Sequence, residues 1–420
     1  MHATSEDILG RFLSLHPKLI DLSLERIERL LAALKHPERR LAPVIHVAGT
    51  NGKGSTSAFM RALLEAAGKR VQVYSSPHLV HFHERIRLAE GPISEPALID
   101  ILRECEAANA GQPITYFEIT TVAGLLAFSR EDADYCILEV GLGGRYDATN
   151  VIDRPHACVI TPVAMDHEGF LGNRLAGIAG EKAGIIKPGV PVFSAKQSKV
   201  AADVIASEAE DLGAPLFRAG KDWTVRRHKN GFSYRDKLGA LSLPTPGLHG
   251  DHQISNAALA LAALRLSGVH LAEDEIARGL VQVSWQARLQ RLEYGPLVEA
   301  ANGRLVWLDG GHNPHAARAL AKQFKGARLC LVLGLMANKS LENFLKPLAP
   351  CIAALAAVPI PGEDCHAPED IVAAAEHLGL GARAYASVNK AVAATPTEAD
   401  TILVAGSLYL AGQVLADNAV

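Results

Sequence analysis

The chain has 420 residues, 49% of them apolar, which is enough for two domains with substantial cores, or for three. A net charge of −3 gives no overall field that would attract nucleic acid or an anionic membrane surface. The six cysteines form no C-x-x-C pair, the N-terminus lacks a basic region followed by an apolar run, and no apolar run has the length of a membrane span. These features favour a reduced, cytoplasmic protein without a nucleic-acid or membrane partner.

Short apolar runs alternate with helical patterns over the first part of the chain. Residues 5–35 have helical periodicity with a break near His16 and Pro17, and residues 55–68 are helical up to a glycine. Short buried strands are predicted at 43–49, 70–76, 134–141, 156–161 and 190–195. This alternation predicts a parallel sheet with helices on both faces.

The pattern changes at residues 216–243, where apolar and polar residues alternate around Asn230-Gly231. This predicts a β-hairpin. Its basic residues leave two interpretations open, a solvated face or an RNA contact, and the solvated face is the commoner case. Residues 251–267 are predicted to be helical.

A second α/β unit is predicted after a junction near 291–303. It begins with a strand that runs into a helix start at 304–314, "RLVWLDGGHNP". Further buried strands are predicted at 327–336, 351–360 and 401–412, with helices between them.

The stretch "HVAGTNGKGST", residues 46–56, is typical of a phosphate-binding loop between a strand and a helix. It differs from the strict G-x-x-x-x-G-K-[ST] spacing because Gly54 separates Lys53 from Ser55. Glycines allow close backbone approach to a ligand, helix-start amides bind phosphate oxygens, and Lys53 adds a mobile charge. The alternative, a glycine- and asparagine-rich turn with no ligand, explains fewer of these features.

Two acidic positions follow predicted parallel strands. Glu139 ends the apolar run 135–140, where a carboxylate points into the ligand crevice of such a sheet. This carboxylate would be a ligand of a divalent cation such as Mg²⁺; the alternative is a salt bridge at the end of the strand. Asp166 and His167 follow the strand 156–161, and a lone histidine is more often structural. The histidines in 75–87 lack the ligand set that zinc needs.

The loop "GTNGKGST" with its inserted glycine, the segment "SSPHL" at 75–79 and the segment "LDGGHNP" at 308–314 occur in order along the chain. Together they resemble the Mur ligase superfamily and, within it, the folylpolyglutamate synthase family, whose bacterial bifunctional members are also dihydrofolate synthases. The resemblance covers nearly the whole chain. It implies an ATP-dependent acid–amino acid ligase.

The resemblance implies two domains and a set of site residues. Residues 1–288 would form a P-loop parallel-sheet ATPase domain of the Mur ligase central type, which binds ATP, Mg²⁺ and folate. Residues 295–420 would form a smaller Rossmann-like α/β glutamate ligase domain. The implied nucleotide contacts are Thr50, Asn51, Gly52, Lys53, Gly54, Ser55, Asn256, Arg288 and Asp309. The implied metal ligands are Ser76, Glu139 and His167, and the implied catalytic residues are Lys53, Lys182 and His312.

The folate side of the site is also implied by the resemblance. The substrate-contacting residues would be Thr115, Tyr116, Phe117, Glu118, Tyr146, Asp147 and Ala148. From the residues alone, the aromatic pair would be core and the 145–147 loop would be solvated. Lys182 alone would be a solvated helix-end lysine, whereas the family's matching lysine is carbamylated by CO₂, and burial that lowers its pKa would favour that reaction.

The sequence departs from the family pattern at two positions. Ala287, which directly precedes Arg288, replaces the glycine of W-x-G-R-x-Q, and Gly311 replaces the alanine of D-G-A-H-N-P. From the residues alone, Asp309 and His312 would be turn residues before a helix that starts near Pro314.

The implied reaction begins when a substrate carboxylate attacks the γ-phosphate of ATP to form an acyl phosphate. The amine of L-glutamate then displaces phosphate. The acceptor is dihydropteroate in one activity and tetrahydrofolate or its polyglutamates in the other. The two domains are expected to close and keep water from the acyl phosphate. Two Mg²⁺ ions are expected, a monovalent cation is a further candidate cofactor, and the expected assembly is a monomer.

Two other functions compete with this interpretation. Cell-wall Mur ligases carry a separate domain for a UDP-sugar, and 48 residues before Gly49 are too few for one. A P-loop regulatory module would bind nucleotide without ligating anything. The predicted metal ligands and the second α/β unit argue against the regulatory module.

Overall fold

The computed structural model describes residues 4–17, 21–396 and 398–419, which form two compact units. The first comprises the described residues up to Pro246 together with Ile254–Val283. The second comprises Gly247–Gln253 and the described residues from Ser284 onward. Among the described residues, no helix has the length and apolar character needed to cross a membrane.

The first unit alternates strands and helices as the sequence predicts. In chain order its elements are α1 (Ser5–Phe12), α2 (Glu25–Ala33), β1 (Val44–Ala48), α3 (Lys53–Ala66), β2 (Val71–Tyr74), β3 (Ile86–Leu88), β4 (Gly91–Pro92), α4 (Glu95–Asn109), α5 (Tyr116–Phe128), β5 (Tyr135–Glu139), β6 (Ala157–Ile160), α6 (Glu168–Leu171), α7 (Leu175–Ala183), β7 (Val192–Ser194), α8 (Lys199–Asp211), β8 (Leu216–Arg218), β9 (Thr224–His228), β10 (Gly231–Asp236), β11 (Gly239–Pro244), α9 (Asp251–Leu266) and α10 (Glu273–Gln282). Helix α9 begins in the second unit and continues in the first.

The main sheet of this unit has the order β4-β3-β2-β5-β1-β6-β7-β8. The strands from β2 to β8 in that order are parallel, and β3 and β4 form an antiparallel edge. Strands β1, β2 and β6 are fully buried, as expected for strands that read as continuous apolar runs. The predicted parallel sheet is confirmed.

A separate antiparallel sheet of three strands, β11-β10-β9, contains the predicted hairpin. His228 pairs with Gly231, so β9 and β10 are joined by Lys229 and Asn230. The third strand, β11, was not part of the sequence prediction. Every residue of β9 is exposed, in accord with a solvated face.

The second unit contains β12 (Gln290–Leu292), α11 (Pro296–Ala300), β13 (Leu305–Leu308), α12 (Pro314–Gln323), β14 (Leu329–Leu333), α13 (Leu341–Leu348), β15 (Ile352–Ala357), α14 (Pro368–His377), β16 (Ala382–Ala384), α15 (Val388–Ala393), β17 (Thr401–Ala405) and α16 (Leu408–Asn418). Its sheet has the order β12-β13-β17-β14-β15-β16, and only β12 pairs antiparallel within it.

The prediction of one strand over 401–412 is wrong in its second half. The strand ends at Ala405, Gly406 takes a φ of 114°, and the Ser407 side chain accepts a hydrogen bond from the Tyr409 amide to cap α16. A serine cap after a positive-φ glycine ends the strand and starts the helix. The apolar residues 408–412 therefore pack as a helix.

Candidate active site

The strand order brings four chemically distinct loops to one edge of the main sheet. Strands β2, β5, β1 and β6 are neighbours and parallel, so their carboxyl ends lie side by side. They lead respectively to Ser76, to Glu139, to the phosphate loop after Ala48, and to Asp166 with His167. Ligands bind at this edge in open α/β sheets.

The phosphate loop needs two of its glycines. Gly49 has a φ of 142°, and a Cβ added there would lie 1.9 Å from Thr161 Oγ1. Gly52 has a φ of 87°, and its added Cβ would lie 2.7 Å from Asn256 Oδ1. The predicted nucleotide contact Asn256 therefore packs directly on the loop, although it lies far away in the sequence.

The loop is held in place by the segment after β6. The amides of Thr50 and Asn51 both donate to the Pro162 carbonyl, at 3.0 and 3.3 Å. The Thr50 hydroxyl donates to the Ala164 carbonyl and accepts from the Ala164 amide. Helix α3 then begins at Lys53 with no side-chain cap. Its positive end therefore favours an anion such as phosphate.

Two lysines converge on one carbonyl oxygen of this loop. Lys53 Nζ donates to Gly49 O at 3.2 Å, and Lys182 Nζ donates to the same oxygen at 2.9 Å. The prediction of a solvated Lys182 from the residues alone is wrong, because its side chain is only 4% exposed. Burial, and next the charge of Lys53, lowers the pKa of Lys182 to about 7. Much of this lysine is therefore a neutral amine near neutral pH, the form that reacts with CO₂.

The predicted metal ligands occupy the same edge. Glu139 is buried at the end of β5, and Ser76 follows the neighbouring strand β2. His167 has a φ of 51°, and its amide donates to Asp166 Oδ1. No group of three or more His, Cys, Asp or Glu side chains in the described ranges is arranged to hold a metal. Ser76 and Glu139 offer the hard oxygen donors that Mg²⁺ prefers, and waters and phosphate oxygens supply its other ligands, whereas His167 would add a nitrogen donor.

The first predicted folate segment, residues 115–118, touches Gly141 in the loop that leads to the second segment. Phe117 lies at the start of α5, and a Cβ added at Gly141 would lie 2.4 Å from Phe117 Cζ, so the ring rests on that glycine. Thr115 caps α5: its hydroxyl accepts a hydrogen bond from the Glu118 amide, and the Glu118 carboxylate accepts one from the Thr115 amide. Tyr116 and Phe117 are half-buried, which leaves part of each ring accessible to a flat substrate.

Sequence reasoning missed Arg26, which holds Glu118. The Arg26 guanidinium donates to both Glu118 oxygens at 2.9 and 3.0 Å and to Asp21 Oδ2 at 2.9 Å. No local motif links α2 to α5, so the sequence carries no signal for this pair. The Glu118 carboxylate is therefore committed to Arg26 and to the helix cap.

The 141–150 loop is ordered around the buried carboxylate of Asp147. Its oxygens accept hydrogen bonds from the Leu142 amide, the Thr149 amide and the Thr149 hydroxyl. Burial raises the pKa of Asp147, and these hydrogen bonds oppose the rise. Tyr146 is 47% exposed, whereas Ala148 is buried. The predicted substrate loop thus has an exposed aromatic ring beside a fixed acidic group.

In the second unit, Asp309 organises the loops at the end of β13. Its carboxylate oxygens accept from the amides of Leu289 and Gly311, each at 2.7 Å. Arg288 lies between Ala287 and Leu289, which both have positive φ values, 54° and 48°. Ala287 thus keeps the left-handed backbone that a glycine would adopt more easily. His312 Nδ1 lies 3.0 Å from Gly310 O.

Family comparisons match both units. A profile described as the Mur ligase middle domain matches residues 47–264, and one described as the Mur ligase glutamate ligase domain matches residues 290–408. The dihydrofolate synthase/folylpolyglutamate synthase of Escherichia coli K12 is 36% identical over 411 residues, covering 96% of this chain and 92% of that protein. The chain belongs to the dihydrofolate synthase/folylpolyglutamate synthase family of Mur ligases.

Solved structures of this family agree in fold. E. coli FolC in complex with DHPP and ADP has a TM-score of 0.89 and 35% identity, with 99% of this chain and 97% of that chain covered. A bifunctional folylpolyglutamate synthase/dihydrofolate synthase with Mn, AMPPNP and L-glutamate bound has a TM-score of 0.84 and 32% identity, with 99% of each chain covered. The chain is an ATP-dependent ligase of this family, with the predicted α/β fold.

Proposed function

We propose that the chain ligates L-glutamate to dihydropteroate, forming dihydrofolate, and to tetrahydrofolate and its polyglutamates. The observation that supports this most is the convergence at one sheet edge. The phosphate loop, the carboxylate of Glu139 and the 141–150 loop follow neighbouring parallel strands. A site that holds ATP beside a second substrate suits transfer of the γ-phosphoryl group to a carboxylate.

In the proposed reaction, the chain stabilises charge on the transferring phosphoryl group. Lys53 and the first-turn amides of α3 bind phosphate oxygens, with Thr50, Asn51, Gly52, Gly54 and Ser55 shaping the loop and Asn256 packed on it. The substrate carboxylate becomes an acyl phosphate, and the amine of glutamate displaces phosphate from it. A bound acyl phosphate must be kept from water.

Ser76, Glu139 and His167 would hold Mg²⁺. When bound, the metal neutralises phosphate charge and so favours attack by an anionic carboxylate. Lys182 would support the metal as a carbamate, because CO₂ converts its amine into an anion. A buried lysine with a pKa of about 7 meets the chemical requirement for that reaction. Native mass spectra that show a plain lysine with both metals bound would remove the carbamate from this scheme.

The remaining predicted roles are part of the same proposal. Thr115, Tyr116, Phe117 and Glu118 with Tyr146, Asp147 and Ala148 would line the pterin site. Arg288 and Asp309 would be nucleotide contacts, and His312 would be a catalytic residue. We also propose that the domains span residues 1–288 and 295–420 and that the protein is a cytoplasmic monomer. A monovalent cation is proposed as a further cofactor.

An ADP-release assay tests this function. The reaction is run with dihydropteroate plus L-glutamate, with each alone, and in parallel with tetrahydrofolate as acceptor. Ligation requires ADP release only when acceptor and glutamate are both present. Release that is independent of either one would favour the regulatory P-loop module, and release with only one acceptor would restrict the chain to one of the two activities.

A further inference from the structure

A buried histidine in the central strand has no role in the scheme above. His46 lies in β1, three positions before Gly49, and is 0% exposed. Its Nε2 atom lies 2.8 Å from the hydroxyl oxygen of Thr149. The Thr149 hydroxyl in turn donates to Asp147 Oδ1 at 2.6 Å. The three side chains therefore form one hydrogen-bonded chain from the strand of the phosphate loop to the 141–150 loop.

The directions of these hydrogen bonds follow from counting protons. A hydroxyl has one proton, and that of Thr149 goes to Asp147. Thr149 Oγ1 can therefore only accept from His46, so the proton of a neutral His46 must be on Nε2. Its Nδ1 atom is buried and has no hydrogen-bond partner in the part of the chain that the structure describes. Burial lowers the pKa of His46 to about 3, so the ring is neutral.

The hydrogen bonds from His46 to Thr149 and from Thr149 to Asp147 influence the protonation of the Asp147 carboxyl group. With His46 donating to Thr149 Oγ1, a proton on Asp147 Oδ1 would leave the buried Thr149 hydroxyl proton without its acceptor, so the arrangement favours Asp147 as an ionised acceptor. An ionised carboxylate has about four acceptor positions. The amides of Leu142 and Thr149 and the Thr149 hydroxyl use three of them. By this count, one acceptor position of Asp147 has no donor among the described residues.

We propose that His46 is a positioning residue for the pteridine substrate. Through the Thr149 hydroxyl, it keeps Asp147 ionised and oriented to accept a hydrogen bond from an N–H group on the edge of the heterocycle that carries its amide and amine. The inference rests on the proposed function, because it takes Asp147 as a substrate contact. It assigns His46 no contact with ATP or with the transferring phosphoryl group. Changing His46 should therefore alter the KM for the pteridine substrate and leave the KM for ATP nearly unchanged.

Paired variants test this at both links of the chain. His46→Leu and Thr149→Val remove the hydrogen bonds, whereas His46→Gln keeps an N–H near the Nε2 position and Thr149→Ser keeps the hydroxyl. We expect the first two to raise the KM for dihydropteroate about tenfold, the cost of one hydrogen bond to a charged group. The KM for ATP should stay within about twofold, and Gln and Ser should restore most of the affinity.

A second histidine–hydroxyl pair provides the control. His156 Nε2 lies 3.1 Å from Ser267 Oγ, and His156 directly precedes β6, at the opposite edge of the sheet. Ser267→Ala should leave both KM values unchanged. Equal losses for ATP and dihydropteroate, or no rescue by Gln and Ser, would overturn the inference. If His46→Leu does not fold, His46→Asn takes its place, because its shorter side chain carries no N–H at the Nε2 position and should raise the KM for dihydropteroate in the same way. A wild-type chain that does not consume dihydropteroate would instead refute the proposed function.

Discussion

At the scale of single residues, two lysines with opposite requirements donate to the same carbonyl of the phosphate loop. Lys53 must stay charged to bind phosphate, whereas Lys182 must lose its proton to react with CO₂. Both donate to Gly49 O, but Lys182 is almost fully buried and Lys53 is not. Burial therefore lowers the pKa of Lys182, and the neighbouring positive charge of Lys53 lowers it further.

Burial of Lys182 should lower stability in a pH-dependent way. The native state releases the Lys182 proton near pH 7, while an unperturbed lysine keeps it to about pH 10.5. The cost of burial is thus fully present below pH 7 and disappears as the pH rises to about 10.5. In CO₂-free buffer, Lys182→Met should raise the thermal unfolding midpoint at about pH 6.5, and this gain should shrink by about pH 10. A gain that does not change with pH would contradict the assignment, and exposed Lys69→Met is the matched control.

Lys53→Ala should abolish glutamate ligation without unfolding the chain. Lys53 is only partly buried and its one described hydrogen bond is to Gly49 O, so the fold loses little. The transferring phosphoryl group loses its mobile cation, and we expect a fall in kcat of at least about a hundredfold. Ligation rate and circular dichroism check this together. Near-normal ligation by a folded variant would refute the role.

At the scale of elements, a buried ion pair joins helices α2 and α5. Arg26 and Glu118 are 19% and 4% exposed at their side chains. The exposed pair Arg11–Glu106 has similar bidentate geometry between α1 and α4, with exposures of 49% and 36%. Solvent screening makes the exposed pair weak, whereas breaking the buried one strands a charge.

Arg26→Met should cost about 3 kcal/mol or more in free energy of unfolding, because Glu118 is left buried without its partner. Arg11→Met should cost about 1 kcal/mol or less. Adding Glu118→Gln to Arg26→Met should recover part of the loss, since glutamine keeps an acceptor for the α5 cap without the charge. Denaturant unfolding of the four chains measures this, and equal costs for the two arginine variants would contradict it.

At the scale of the whole molecule, ligands should stabilise the chain through the phosphate loop. ADP at about a hundred times its Kd adds about 2.7 kcal/mol to the folded state by mass action. We expect ADP with Mg²⁺ to raise the unfolding midpoint, and a chelator or Lys53→Ala to remove most of that shift. The same shift in Lys53→Ala as in the wild type would place the nucleotide elsewhere.

The sequence predicted the order of elements because each strand is a short apolar run and each helix is periodic. It also predicted the phosphate loop, since strand, glycines, lysine and helix start are local. It did not predict the burial of Lys182, the pairing of Arg26 with Glu118 or the contact of Asn256 with Gly52. Each of these features joins residues far apart in the chain. No single segment of the sequence specifies the strand order that brings these distant loops together.

The contact between Gly49 and Thr161 sets a limit on protein engineering. A methyl group at position 49 would overlap the threonine hydroxyl, and the glycine has a backbone conformation that other residues rarely adopt. Mutagenesis libraries that aim to broaden acceptor range should keep this pair constant. They should place their diversity at the exposed ring of Tyr146, where the scaffold tolerates exchange.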